Sequence, residues 1–332
     1  MSNTEARPDE VVCESVRASG IEIIAPRVVP LGGPRAMSVR RTLPARERTL
    51  IGAWCFLDHY GPDRVADSGG MEVAAHPHTG LQTVSWLFTG EIEHRDSAGH
   101  HAMVRPGEVN LMTGGYGISH TEISTPATEV LHGAQLWVAL PDAARDAPPA
   151  FEHYAPEPIG GHGWTARVFL GSLLGSTSPV STFTPLLGAE LLLEAGTTLD
   201  LPLDPAFEHG LLLDIGAVSV DGVPVSKDAL AHLPTGASTR TLVADEPSRL
   251  LLLGGPPFGE QIVMWWNFVG RTHEEIVGYR DAWQAQITSA SGAVATDGEQ
   301  VADGRFGRVL GEHRPPIPAP PLPNNVRLRP RG

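Results

Sequence analysis

The sequence predicts an all-β protein made of two successive halves, each a β-barrel or β-sandwich. Short apolar runs recur along most of the 332-residue chain, at the spacing of about ten residues that is typical of sandwiches and barrels. The 37 glycines and 30 prolines suit many turns between short strands better than long helices. A single stretch near the carboxyl end has the apolar spacing of an amphipathic helix.

We expect residues 1–20 to be a flexible N-terminus, because "MSNTEARPDEVV" is polar and lacks the apolar centre of a signal peptide. Residues 21–145 form the first domain. Within it, "LQTVSWLFTGEIEHRD" shows two strands separated by a turn at Thr89 and Gly90.

Residues 146–290 form the second domain, which begins in the Pro- and Ala-rich connection "PDAARDAPPAFEHYAPEPIGGHG". Its later segment "THEEIVGYRDAWQAQ" predicts the one helix, with Thr272 as the N-cap and Glu275 completing a capping box. We expect Trp265 and Trp266 to fill a core or the seam between domains, and the alternative is that they line the mouth of a substrate site. Residues 291–332 form a Pro-rich tail that must be extended, since repeated prolines fix the backbone and remove donors.

Charge and cysteine content exclude several classes of function. The formal net charge of −14 argues against direct binding of nucleic acid, which needs a basic face. No apolar run approaches the length of about 18 residues that a membrane span requires. Cys13 and Cys55 offer neither a disulfide framework nor a CxxC zinc pattern. These features predict a cytoplasmic protein.

Two pairs of candidate metal ligands stand out. His76 and His78 are two residues apart in a β-like run, and so are His120 and Glu122. Side chains at i and i+2 of a strand share a face, so facing strands would bring together three imidazole nitrogens and one carboxylate. Such a set suits a first-row metal and leaves coordination positions open, while the lack of a thiolate argues against a closed structural zinc site.

The alternative is that these histidines are ordinary surface or core residues, since an isolated H-x-H often arises by chance. Clustering favours the site, because eight of the 14 histidines fall between residues 59 and 132. The remaining histidines of that region are assigned to supporting positions, strand surfaces or turns: His59, His94, His100, His101 and His132. His209 and His232 in the second half are solitary, and we expect no metal there.

Several motifs resemble the pirin family of the cupin superfamily. They are "FLDHYGP", "HPHTGLQTVSWLFTGEIEHRDSAGH", "RPGEVNLMTGGYGISHTE" and, more loosely, "EQIVMWWNFVGRTHEEI". The cupin signatures G-x5-H-x-H and G-x2-H stand at residues 70–78 and 117–120. The resemblance implies a bicupin with two barrels, and it implies that His76, His78, His120 and Glu122 hold iron. Fe(II) is the expected ion, and Mn, Ni, Zn or Cu are alternatives.

The resemblance implies two functions that the sequence leaves open. One is a quercetin 2,3-dioxygenase-like oxidation of a flavonol or a related small aromatic chelator, in which Glu122 also serves as a catalytic proton acceptor. The other is a non-enzymatic, redox-sensing regulator that binds a partner protein. Gln82 stands where family members commonly have Glu, and we expect this departure to affect activity more than metal binding.

Overall fold

Residues 20–31, 37–289, 294, 304–323 and 327–332 are described by a computed structural model of the chain. Two antiparallel barrels and a short C-terminal helix confirm the all-β, two-barrel architecture. Nearly all of the expected flexible N-terminus, and part of the Pro-rich tail, lie outside the described residues.

Residues 20–154 contain strands β1 to β12, a short helix α1 at Val65–Ser68 and a 3-10 turn at Asp142–Ala144. The strands are β1 Glu22–Ile24, β2 Arg27–Leu31, β3 Met37–Leu43, β4 Trp54–Arg64, β5 Glu72–His78, β6 Leu81–Thr89, β7 Ile92–Asp96, β8 His101–Val104, β9 Val109–Thr113, β10 Ile118–Ser124, β11 Val130–Ala139 and β12 Ala150–Tyr154.

The second half contains strands β13 to β26 and the helix α2 at His273–Ile287. The strands are β13 Ile159–Gly161, β14 Trp164–Leu170, β15 Ser172–Leu173, β16 Ser176–Thr177, β17 Leu187–Leu193, β18 Thr198–Pro202, β19 Glu208–Ile215, β20 Val218–Val220, β21 Val223–Val225, β22 Leu230–Leu233, β23 Thr239–Ala244, β24 Ser248–Gly255, β25 Val263–Trp265 and β26 Phe268–Gly270.

Each barrel pairs a large sheet with a small one. In the first barrel the orders are β12-β9-β6-β11-β4-β3-β2 and β5-β10-β7-β8; in the second they are β1-β22-β19-β24-β17-β14-β13 and β18-β23-β20-β21. Outer strands such as β18 alternate exposed and buried residues, whereas every residue of β9 is buried. A strand with both faces covered has lost the alternation that sequence reading relies on.

The chain exchanges strands between the two barrels. β1 lies in the second barrel, where Glu22 pairs with His232, and β12 lies in the first, where Tyr154 pairs with Val109. The domain ranges 21–145 and 146–290 remain a sequence-based prediction. The pairing shows that short segments near both limits belong to the sheet of the other half.

The two large sheets share one apolar core. Trp86 of the first barrel stacks on Phe169 of the second with ring centroids 4.5 Å apart, and Trp54, Leu212 and Leu251 belong to the same buried cluster. Aromatic stacking adds about 0.5–1.5 kcal/mol to the free energy gained by burying the rings. This shared core holds the barrels together and fixes the groups that meet between them.

The C-terminal helix begins where the sequence predicts. The Thr272 side chain accepts a hydrogen bond from Glu275 N, and the Glu275 side chain accepts one from Thr272 N. The buried face of the helix includes Ile276 and Trp283, which pack with Trp265 and Trp266 in a single cluster. The two adjacent tryptophans are therefore core residues.

Replacing Thr272 by alanine is expected to destabilise the protein by about 1 kcal/mol, because the cap then leaves a helix N–H without its acceptor. Urea unfolding should show a lower midpoint with an unchanged slope. Thr239→Ala, at an exposed strand position of the second barrel, is the control. A destabilisation no larger than that of the control would contradict the capping role.

The described part of the Pro-rich tail lies against the helix and the first barrel. Ile317 N donates to Ala75 O at 2.8 Å, and Trp283 Nε1 donates to Ile317 O at 2.8 Å. No helix among the described residues is long and apolar enough to cross a membrane. Cys55 is buried as a free thiol, while Cys13 lies outside the described residues.

Candidate metal centre

Three of the predicted ligands meet inside the first barrel. His76 and His78 lie on one face of β5, and antiparallel pairing with β10 sets His120 directly opposite His76. The three side chains are fully buried, with 0% exposure. Their candidate ligand nitrogens all lie within 4.8 Å of one another, and His78 Nε2 is 3.0 Å from His120 Nε2.

The hydrogen bonds on the outer side of two rings determine which nitrogen faces inward with a lone pair. His76 Nδ1 lies 2.9 Å from Ala74 O, and His78 Nδ1 lies 3.2 Å from Asn267 O. A carbonyl oxygen only accepts, so each Nδ1 carries the proton and each Nε2 keeps its lone pair. This arrangement suits metal ligation, because a ligating histidine commonly donates its other N–H to a carbonyl or carboxylate.

Burial keeps these rings neutral. Burial lowers the pKa of His76 to about 3. The pKa values of His78 and His120 lie well below the usual range, because both rings are buried and because neighbouring imidazoles disfavour a second positive charge. Neutral imidazole is the form that binds metal ions.

A metal ion would satisfy a nitrogen that the described residues leave without a hydrogen-bond partner. Among the described residues, His76 Nε2 is buried without a hydrogen-bond partner. Leaving a buried polar atom unpaired costs about 1–3 kcal/mol, so such atoms call for an explanation. The residues therefore fit a first-row metal ion, with His76, His78 and His120 as its nitrogen ligands.

Glu122 is buried nearby but belongs to a different group of side chains. Between His120 and Glu122 the pairing with β5 shifts register, so Glu122 lies opposite Val73. Its carboxylate lies within 4.8 Å of ligand atoms of His94 and His120. The structure thus gathers the three histidines in one group and Glu122 in a second group that shares His120, and the four-ligand set remains a prediction.

Gln82 is bound to the neighbouring strand β9. It lies buried on β6, and its Nε2 donates to Thr113 Oγ1 at 3.0 Å.

A third buried group lies between the barrels. His59 of β4 and His132 of β11 approach the same oxygen of Asp214 on β19, with Nε2 to Oδ1 distances of 2.9 and 2.8 Å. Arg249 donates from Nε to Asp214 Oδ2 at 2.5 Å, and Arg249 Nη2 lies 3.3 Å from His132 Nδ1.

That third group is an interdomain hydrogen-bond network rather than a metal site. An arginine nitrogen only donates, so His132 Nδ1 must accept a hydrogen bond from Arg249. His132 Nε2 then carries the ring proton and donates a hydrogen bond to Asp214. A proton on Nε2 leaves no lone pair there for a metal. No sequence pattern predicts this network, because Asp214 lies more than 80 positions from His132.

Two further residues support the metal centre through contacts that the sequence did not predict. Asn267 reaches it from the far end of the chain because Phe268 bridges to Thr79 and Val269 N donates to Thr79 O at 3.0 Å. His94 lies beside His120, with Nδ1 atoms 3.3 Å apart. In the second barrel, His232 pairs with Glu208 at 3.2 Å and His209 lies beside Phe207.

Comparison with known proteins agrees with this architecture. The sequence profile named Pirin matches residues 36–138, and the profile of the Pirin C-terminal cupin domain matches residues 188–288. A Pseudomonas aeruginosa protein named "Putative quercetin 2,3-dioxygenase PA1205" is 42% identical over 327 residues, covering 97% of this chain and 98% of that one.

Two further proteins widen the comparison. Human pirin is 30% identical over 72% of this chain and 83% of its own length. The crystal structure of quercetin 2,3-dioxygenase from Acinetobacter baumannii is 37% identical, has a TM-score of 0.83, and covers 93% of this chain and 98% of that one. With two cupin barrels, both family profiles and relatives along nearly its whole length, this chain belongs to the pirin family.

Proposed function

We propose that the protein is a metal-dependent oxidoreductase that oxidises a small aromatic chelator in the manner of a quercetin 2,3-dioxygenase. The observation that carries the proposal is the convergence of three buried, neutral imidazoles on one point, with His76 Nε2 unpaired among the described residues. The names of two relatives, from Pseudomonas aeruginosa and Acinetobacter baumannii, agree with this reaction class.

In this proposal His76, His78, His120 and Glu122 hold Fe(II), and Mn, Ni, Zn or Cu are ions that the same donors accept. The bound ion would act as a Lewis acid and a template for the oxygen atoms of the substrate. Glu122, with 1% exposure and a place beside His120, would accept the proton of a substrate hydroxyl.

The buried setting supports the roles of the protein groups. Electrostatic interactions strengthen where water is excluded, so a carboxylate at this depth interacts strongly with a nearby hydroxyl. The Ala74 and Asn267 carbonyls orient His76 and His78, so these rings need no reorganisation when a ligand arrives. A cytoplasmic location is part of the proposal, as an environment in which free thiols persist.

Oxygen uptake with quercetin and iron-loaded protein tests the proposal. We expect turnover in the wild type, loss of turnover in His78→Ala, and unchanged turnover in the control His162→Ala, which alters an exposed turn of the second barrel. An iron-loaded wild type that consumes no oxygen with quercetin would contradict quercetin as substrate. Retained metal without turnover on a panel of flavonols would favour the redox-sensing regulator.

A further inference from the structure

His120 uses both of its ring nitrogens. Its Nε2 faces His78 Nε2 at 3.0 Å, and its Nδ1 faces His94 Nδ1 at 3.3 Å. The Nδ1 atoms of His76 and His78 face backbone carbonyls, whereas Nδ1 of His120 faces the imidazole of His94. An imidazole can either donate or accept, so His94 does not by itself decide which nitrogen of His120 carries the proton.

Asp96 removes that ambiguity. Asp96 Oδ2 lies 3.4 Å from His94 Nε2, and Asp96 Oδ1 accepts from the backbone N–H groups of Ala98 at 2.9 Å and His100 at 3.0 Å. The side chain of His100 also contacts Asp96, with Nδ1 to Oδ2 at 2.9 Å. Asp96 is 2% exposed and His94 is 3% exposed, so water has little access to the chain of contacts.

We propose that Asp96 and His94 are positioning residues that fix the tautomer of His120 and thereby make its Nε2 a metal ligand. An ionised carboxylate only accepts, so His94 Nε2 must carry a proton. His94 Nδ1 then accepts the proton of His120 Nδ1. The lone pair of His120 is left on Nε2, the nitrogen that faces His78.

The surroundings of Asp96 favour its ionised form. Two backbone N–H groups donate to Asp96 Oδ1, and the imidazoles of His94 and His100 both reach Oδ2; hydrogen bonds to a carboxylate favour its charged form. The inference rests on the metal-binding part of the proposed function and is independent of which substrate is oxidised.

A rival arrangement uses the same residues differently. Ligand atoms of His94, His120 and Glu122 also lie within 4.8 Å of one another. If that group held the ion, His94 would be a ligand, and its loss would be as damaging as the loss of His120. If His94 only positions His120, a side chain with a suitable acceptor should replace it.

Asp96→Asn tests the proposal with an isosteric change. The amide oxygen can keep the bonds from Ala98 N and His100 N, while the amide nitrogen donates to His94 Nε2. The proton order then inverts, and His120 Nε2 becomes a donor. We expect Co(II) affinity to fall by about 10–100-fold, as for other groups that orient metal ligands. Chelator competition gives the affinity, and the visible spectrum of bound Co(II) reports the ligand set.

A rescue variant separates positioning from general damage. In His94→Gln the amide oxygen can turn toward His120 Nδ1 and accept its proton without help from Asp96. Adding Asp96→Asn to His94→Gln should therefore lower Co(II) affinity by less than about threefold, against about 10–100-fold in the wild-type background. His101→Gln, whose side chain is 52% exposed and pairs with Glu93, is the control. Circular dichroism of the metal-free variants checks that each one folds.

Three outcomes would overturn the inference, and they differ in what they imply for the metal site. Wild-type affinity in a folded Asp96→Asn variant overturns the inference and leaves the proposed metal site intact. An affinity in His94→Gln as low as that of His120→Ala makes His94 a ligand and also overturns it. A wild type that binds no Co(II) overturns both the inference and the metal site.

Discussion

Replacing His120 by alanine is expected to lower the affinity for Fe(II) or Co(II) by more than about 100-fold. The loss should exceed the about 10–100-fold effect of removing a group that only orients a ligand, because a ligand itself disappears. His120 is the residue to choose, since it is shared by both groups of candidate ligands inside the first barrel. Equilibrium dialysis followed by elemental analysis measures the effect.

A control for this prediction lies in the same small sheet. His101 is at the start of β8, with its side chain 52% exposed and Nε2 2.7 Å from Glu93 Oε1. His101→Ala should bind metal as the wild type does. Equal metal content in the His120→Ala and His101→Ala variants would show that His120 is no ligand.

Replacing Asp214 by asparagine is expected to destabilise the protein by about 3–5 kcal/mol at neutral pH, the cost of breaking a buried ion pair by removing one partner. Asp214 is 1% exposed and accepts from His59, His132 and Arg249. With asparagine, Arg249 faces a neutral group, and one amide oxygen must replace two carboxylate oxygens. Denaturant unfolding of metal-free protein measures the change.

The pH dependence of that change follows from the pKa of Asp214. Burial alone would raise it, but hydrogen bonds from His132 and His59 hold it far below its ordinary range. A carboxyl with a depressed folded-state pKa contributes stability above its unfolded pKa of about 3.9 and loses it at lower pH. The difference between wild type and Asp214→Asn should therefore be constant near neutrality and shrink below about pH 4.

Asp245→Asn is the matched control in the second barrel. Asp245 is exposed, with its backbone N–H bonded to Ala217 O. Its substitution should change stability by less than about 0.5 kcal/mol. If Asp214→Asn behaves like Asp245→Asn, the network between the barrels does not stabilise the protein.

The parts of the site that could be predicted are those that local spacing determines. His76 and His78 share a face because they are two apart in one strand, and Thr272 caps a helix because its partner is three residues on. His120 was predicted in the same way, from its spacing to Glu122 in a second β-like run, and the resemblance to pirins agreed with that pair. The position of Glu122 relative to the three histidines could not be predicted, because a register shift between paired strands leaves no pattern in the sequence.

The contacts that the sequence did not predict all join residues on strands or loops that are far apart in the chain. Asn267 reaches His78 across 189 positions, and Asp214 reaches His132 across 82. The sequence left His94 among supporting positions, strand surfaces and turns, and its contact with His120 follows from the pairing of β7 with β10. The pairing of β1 with the second barrel was likewise not predicted, because its partner strand β22 lies far along the chain. Periodicity identifies which face a residue occupies, but it does not say which strand lies opposite.

The central claim is that one metal ion binds inside the first barrel through its buried histidines. Elemental analysis of the purified wild type and of the His76→Ala, His78→Ala double variant tests it most directly. We expect about one first-row metal ion per chain in the wild type and almost none in the variant, because both imidazoles of β5 are lost. Equal metal content in the two proteins, or a wild type that stays empty after exposure to Fe(II) and Co(II), would contradict the claim.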